Sequence, residues 1–156
     1  MTDRATAYAE RVVAGDVLAG PEHILACKRH LTDLERQGTA DFPYLWVPEK
    51  SEDILNFAET LTILEGAEPQ PVRLYGCQCF DMGVPMGWVT KDGYRRFRRK
   101  YKSVARQNGK TFENGIVGTY IAGFERYRYG KLFTVATKKR QARLAWEEMA
   151  RFIMAD

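Results

Sequence analysis

Within the stretch SVARQNGKTFENG at residues 103–115, Gly109, Lys110 and Thr111 have the types and order of a phosphate-binding loop. Such a loop turns backbone N–H groups inward at the positive end of a helix. It also needs a lysine that reaches the β- and γ-phosphate oxygens and a hydroxyl for Mg²⁺. The pattern G-x-x-x-x-G-K-[ST] opens with a glycine, and here Val104 occupies that position. The bare tripeptide is weak, because a surface turn at a helix start, with Lys110 merely solvated, accounts for it equally well. Arg106 adds a second feature. It lies inside the loop, and its planar fork suits phosphate oxygens or a neighbouring acid. An arginine so placed stabilises charge that builds as a γ-phosphoryl group leaves, which points to a motor-type ATPase whose arginine acts within its own chain.

A phosphate loop must be preceded by a strand and followed by a helix. GYRRFRRKYKSVA, at 93–105, reads as extended chain, with Phe97, Tyr101 and Val104 as its apolar points. Residues 110–124 read as a helix with Ile116, Val117, Tyr120, Ile121 and Phe124 on a buried stripe. KLFTVAT, at 131–137, reads as a buried strand. A last helix from about Lys138 aligns Ala142, Trp146, Met149 and Ile153.

The first half reads as helical. One helix is expected over 5–19, stopped by Gly20, and a second from Pro21, with Ile24, Cys27, Leu31 and Leu34 on one face and Gly38 at its end. A third starts at Ser51, with Ile54, Phe57, Ala58, Leu61 and Leu64 on one face and Gly66 as its stop. The aromatic stretch 41–48 connects them without an assigned role, AEPQP is a loop, and CQCFDMGVPMGW is a short segment broken by Gly and Pro. Helices first, then strand–loop–helix–strand–helix, make an α/β plan with parallel strands and a right-handed crossover. The domains expected are a helical region at 1–66 and the beginning of a P-loop core at 67–156.

At 156 residues the chain has the length of one domain, and 45% hydrophobic with 28% charged residues is ordinary for a globular protein. No apolar run suits a membrane span, and the N-terminus does not have the pattern of a secretory signal. Cys27, Cys77 and Cys79 are odd in number and lack metal-ligand spacing, which fits a reducing cytoplasm. The net charge of +4 conceals two basic clusters. Arg95, Arg96, Arg98, Arg99, Lys100 and Lys102 interleave with Phe97 and Tyr101, and Lys138, Lys139, Arg140 and Arg143 follow later. Such density suits sequence-independent contact with double-stranded DNA. Charges guarding a strand edge are the plainer alternative. Trp46 and Trp88 read as packing anchors.

ARQNGKT resembles the deviant Walker A loop of the large terminase subunit of tailed bacteriophages, in which R-x-x-G-K-[ST] lacks the opening glycine. RHLTDL at 29–34, CQCF at 77–80, GW at 87–88, RRFR at 95–98 and ATKKRQA at 136–142 occur in the order that family shows, so the resemblance covers nearly the whole chain. It implies an incomplete P-loop, RecA-like parallel-sheet core after a helical N-terminal region. The implied activity is that of the ATPase that drives viral DNA into a procapsid. Carried over, Arg106 and Lys110 take catalytic roles, Gln107, Asn108 and Gly109 form the backbone cradle, and Thr111 holds the Mg²⁺ of Mg·ATP. Gln78 matches the glutamine that reads adenine, an amide being able to donate and accept at once. A helix-capping or solvated glutamine is the alternative reading. Gln141 matches a residue coupling nucleotide state to DNA, or is simply exposed. The implied partners are double-stranded DNA, the small terminase subunit and the portal, on which the full-length protein is homo-oligomeric, in the bacterial host cytoplasm and without a membrane.

Hydrolysis also requires carboxylates, normally at the end of an apolar strand, to hold Mg²⁺ and to orient water. No run after Thr111 has that form, and Glu147 and Glu148 read as solvated on a helix face. The expectation is therefore a chain truncated before the third core strand and the nuclease domain, whose hydrolytic competence is in question. Two other readings stay open: a helicase-like DNA translocase fragment, and a non-catalytic basic DNA-binding module in which GKT is coincidental.

Overall fold

A computed structural model describes residues 2–63, 68–125 and 130–154. The chain forms two compact units, each assembled from two stretches: Met1–Leu55 with Leu74–Lys100, and Asn56–Arg73 with Tyr101–Asp156. The units therefore do not follow a single cut near residue 66, a position that lies outside the described residues together with Leu64.

The first unit begins with helix α1 (Arg4–Ala14), whose start is fixed by the Asp3 carboxylate accepting from the Thr6 N–H at 2.9 Å. It ends at Gly15, not Gly20. Gly15 takes a left-handed φ of 90°, which closes the last turn through its own N–H and that of Asp16. Helix α2 (Pro21–Arg36) starts on Pro21 as expected. Helix α3 (Pro48–Thr60) begins before Ser51, and its residues divide between the units after Leu55. Within 41–48 lies strand β1 (Tyr44–Trp46).

CQCFDMGVPMGW is a correction to the sequence reading. It lies almost wholly in a helix, α4 (Gly76–Gly87), with Pro85 in its last turn. Its glycines are contact points: a Cβ on Gly76, Gly83 or Gly87 would stand 2.4 Å from Tyr8, Ser51 or Trp46 respectively. Close packing, not helix propensity, thus selects the sequence here. Strand β4 (Trp88–Thr90) follows and pairs antiparallel with β1, Leu45 opposite Val89.

Ala5, Ala9 and Val12 of α1, Cys27 of α2, Phe80 and Val84 of α4, and Trp88 form the core of this unit. At its centre the Trp88 indole N–H donates to His30 Nδ1 at 3.0 Å, so the imidazole carries its proton on Nε2. That proton faces the Thr6 hydroxyl at 3.0 Å, and Thr6 donates in turn to Asp3 at 2.7 Å. Burial lowers the His30 pKa to about 4, because the charged imidazolium is disfavoured there. Trp88 is completely buried and Trp46 packs on it, so both anchor the core.

The second unit holds a short antiparallel pair, β2 (Thr62–Ile63) with β3 (Gln70–Pro71), and two helices, α5 (Lys110–Phe124) and α6 (Lys139–Met154). β3 falls within AEPQP, where a loop was expected. The expected strand at 131–137 does not form. The stretch is exposed and has no ladder partner among the described residues, with Phe133 79% and Val135 91% accessible. Segment 93–105 is likewise irregular apart from an isolated bridge between Val89 and Arg95. Both ladders in the described residues are antiparallel, so the protein is α-rich with two small antiparallel sheets, and no parallel P-loop sheet is seen. A strand exists only where a neighbour completes its hydrogen bonds, and an apolar run does not supply that neighbour.

The buried face of α6 also differs from the expected stripe. Met149 and Phe152 are buried, while Trp146 and Ile153 are exposed. Gly115 and Gly118 on α5 are the reason. A Cβ at 115 would meet Glu148 at 2.8 Å and Phe152 at 3.0 Å, and one at 118 would meet the Met149 sulfur at 2.4 Å. On α5 itself Ile116 is buried, whereas Phe124 is exposed. None of the described helices is long and apolar enough to cross a membrane.

Candidate phosphate-binding site

The loop that carries Arg106 to Thr111 lies in the second unit and enters α5 directly. Gln107 and Gly109 are left-handed, with φ of 63° and 67°, while Asn108 between them is not. Neighbouring residues of opposite φ sign are the backbone pattern from which the anion-binding concavity known as a nest is built. Glycine takes such a φ without cost, and Gln107 does not, so the loop holds some backbone strain. Gly109 is the N-cap of α5 and provides no side-chain cap, which leaves the cap position to another acceptor.

Lys110, the first residue of α5, folds its ammonium back onto the approach segment and donates to the carbonyls of Val104 at 2.5 Å and Ala105 at 2.7 Å. The Asn108 amide donates to the Arg106 carbonyl at 3.2 Å and braces the turn. Together these residues line a cavity of about 410 Å³. Thr111 and the Arg106 side chain lie along it, and Thr62, Ile63, Glu148, Arg151 and Phe152 complete it. A volume of this order is common for small-molecule sites. All six loop residues proposed from the sequence are thus brought together.

Two features escaped the sequence reading. Lys102 donates to both carboxylate oxygens of Glu113 at 2.6 Å, and the Glu113 side chain is almost fully buried. This pair ties the approach segment to the first turn of α5 and so fixes both ends of the loop. Eleven residues separate the partners, so no helical spacing reveals it. The second is Glu148, the one acid among the described lining residues, ion-paired with Arg151 at 3.2 Å. That spacing of three on a helix was visible in principle.

The remaining expected site residues belong to the first unit. The Gln78 side-chain oxygen accepts from the Tyr75 N–H at 2.9 Å as part of a capping box, a helix-start role. Arg96 turns inward. Its guanidinium pairs with Asp33 at 2.6 Å and stacks over Phe42, Tyr44, Trp88 and Phe97, all within 5.4 Å of the ring centres. Arg95 is half-buried and reaches the Met86 sulfur at 3.8 Å, whereas Arg98 and Arg99 are exposed. The four arginines thus divide into two that are partly built into the fold and two that face solvent. Gln141 accepts from Thr137 at 3.2 Å on the exposed start of α6. No cluster of His, Cys, Asp or Glu able to hold a metal occurs among the described residues.

The family described as terminase large subunit, ATPase domain, matches residues 77–155, just over half of the chain, and that span contains the whole loop. No curated protein and no solved structure matches.

Proposed function

The chain belongs to the family of terminase large-subunit ATPase domains, and from that premise we propose that residues 106–111 hold the phosphates of Mg·ATP. An ATPase domain implies nucleotide binding. The observation that carries the assignment is the loop itself: left-handed Gln107 and Gly109, an N-cap without a side-chain partner, and Lys110 held only by neutral carbonyls. A phosphate oxygen offers Lys110 a charge-assisted bond in exchange for two backbone carbonyls, so the ammonium is preorganised yet replaceable. Thr111 is the hydroxyl for Mg²⁺ and Arg106 the cation for charge developing at the γ-phosphate.

The chain then acts as the ATP-binding part of the motor that packages viral DNA into a procapsid. It works in the host cytoplasm with the small terminase subunit and the portal as partners. Arg98 and Arg99 are the exposed cations for DNA phosphate. The test is calorimetric binding of Mg·ATP to the chain and to Lys110→Ala. Binding lost in the variant, with its helical content unchanged, supports the assignment; equal affinity refutes it and favours the reading in which GKT is coincidental.

A further inference from the structure

The phosphate cavity has a second, largely apolar wall. Ile63, Phe112 and Phe152 line it, with Phe152 edge-on to Phe112 at 5.6 Å between ring centres, and Thr62 of β2 lies beside them. Neighbouring residues of a strand put their side chains on opposite faces. A cavity that touches both Thr62 and Ile63 therefore meets β2 along an edge. No residue of β3 lines the cavity, so this is the edge away from β3.

The register decides what that edge offers. The Val72 N–H donates to the Leu61 carbonyl at 3.0 Å, which makes Leu61 and Val72 a hydrogen-bonded pair at the end of the ladder. Bonded and non-bonded pairs alternate between antiparallel strands, and the next pair is Thr62 with Pro71. Pro71, which has no N–H, suits the non-bonded place. The Thr62 N–H and C=O thus point away from β3, and neither is hydrogen-bonded to the backbone of another described residue. One residue sets a donor and an acceptor side by side, next to an apolar wall.

Resting on the nucleotide reading above, we propose that the Thr62 peptide groups read the base as adenine. The N–H donates to ring N1 and the carbonyl accepts from the 6-amino group, while Ile63 and Phe152 cover the ring. Both pairs of groups are adjacent and opposite in hydrogen-bonding sense, so one edge complements the other. A 6-oxo purine reverses both, setting carbonyl against carbonyl and ring N–H against N–H. Each peptide group then loses water without gaining a partner.

The test is a titration of the full chain with the magnesium complexes of ATP, inosine triphosphate and inorganic tripolyphosphate, repeated for Lys110→Ala and Thr62→Pro. Thr62→Pro removes the N–H without breaking a ladder bond. The unaltered chain should bind ATP about fivefold or more tighter than inosine triphosphate, and a smaller preference would overturn the proposal. Thr62→Pro should cut that preference by at least about half and keep its affinity for tripolyphosphate; an undiminished preference would overturn it. Lys110→Ala separates the two assignments. Tripolyphosphate bound equally well by that variant overturns the loop assignment, whereas its loss supports the loop and leaves the base preference to decide on Thr62. Should Thr62→Pro fail to fold, the Thr62 amide resonance of the unaltered chain decides. A downfield shift with Mg·ATP that tripolyphosphate does not produce supports the reading, and a resonance that stays in place at saturating ATP overturns it.

Discussion

Acidification should unfold the first unit through His30. The imidazole sits between the Trp88 indole and the Thr6 hydroxyl, with Asp3 and Asp33 favouring its charged form and Arg29 and Arg96 opposing it. Burial is the largest influence and lowers its pKa to about 4, against about 6.5 for an unfolded histidine. As the pH falls, the unfolded chain therefore takes up the proton first. The stability contributed by neutral His30 is complete above about pH 6.5 and is lost as the pH drops toward about 4. Each pKa unit corresponds to about 1.4 kcal/mol, so the loss is about 2 kcal/mol at about pH 4.5 and about 3 kcal/mol at the limit. Structurally, protonation at Nδ1 would set a donor against the indole N–H, which has no other role than to donate. The assay is urea unfolding followed by tryptophan fluorescence, since Trp46 and Trp88 both pack on this ring. His30→Gln is the control: its loss of stability between about pH 7 and about pH 4.5 should be smaller than the parent's by about 2 kcal/mol. Identical losses in the two proteins would refute the assignment of the pH dependence to His30.

Further outcomes follow from the same contacts. Arg96→Ala leaves Asp33 without its partner at 2.6 Å and should cost about 3–5 kcal/mol in urea unfolding, whereas Arg98→Ala should change stability by less than about 0.5 kcal/mol. In DNA binding measured against salt, Arg98→Ala and Arg99→Ala should each reduce the slope by about one, on any sequence. Glu113→Ala removes the carboxylate to which the partly buried Lys102 ammonium donates and should cost about 1–3 kcal/mol, with amide exchange accelerated in residues 103–111 before the remainder of α5. Gly118→Leu should separate α6 from α5, because the Met149 sulfur already stands 2.4 Å from an added Cβ; a cost of about 1–3 kcal/mol by chemical denaturation checks it.

Local signals carried far along this chain. Pro21 marked a helix start, Lys110 a loop-to-helix junction, and the six residues from Arg106 to Thr111 converge on one cavity. These features depend on backbone geometry over a few residues, which sequence spells directly. The errors lie where partners are distant. KLFTVAT has the composition of a buried strand, yet composition does not provide the neighbouring strand that would complete its hydrogen bonds. CQCFDMGVPMGW has the Gly and Pro content of a loop, yet Gly76, Gly83 and Gly87 are small because Tyr8, Ser51 and Trp46 press against them. The α6 stripe was misplaced for the same reason, since the trough at Gly115 and Gly118 decides which side of α6 is covered. Lys102 with Glu113 and Arg96 with Asp33 are tertiary pairs, separated by 11 and 63 residues, and no periodicity announces them. Glu148 read as a solvated helix residue until its helix was placed against the loop.

The most direct measurement is a titration of the ¹⁵N-labelled chain with Mg·ATP, read at the backbone amides of residues 107–111. The account predicts large, saturable downfield shifts of those amides as phosphate replaces water at the N–H groups of the nest, and no such shifts in Lys110→Ala. Amides at 107–111 that stay in place while binding is saturated elsewhere would contradict it.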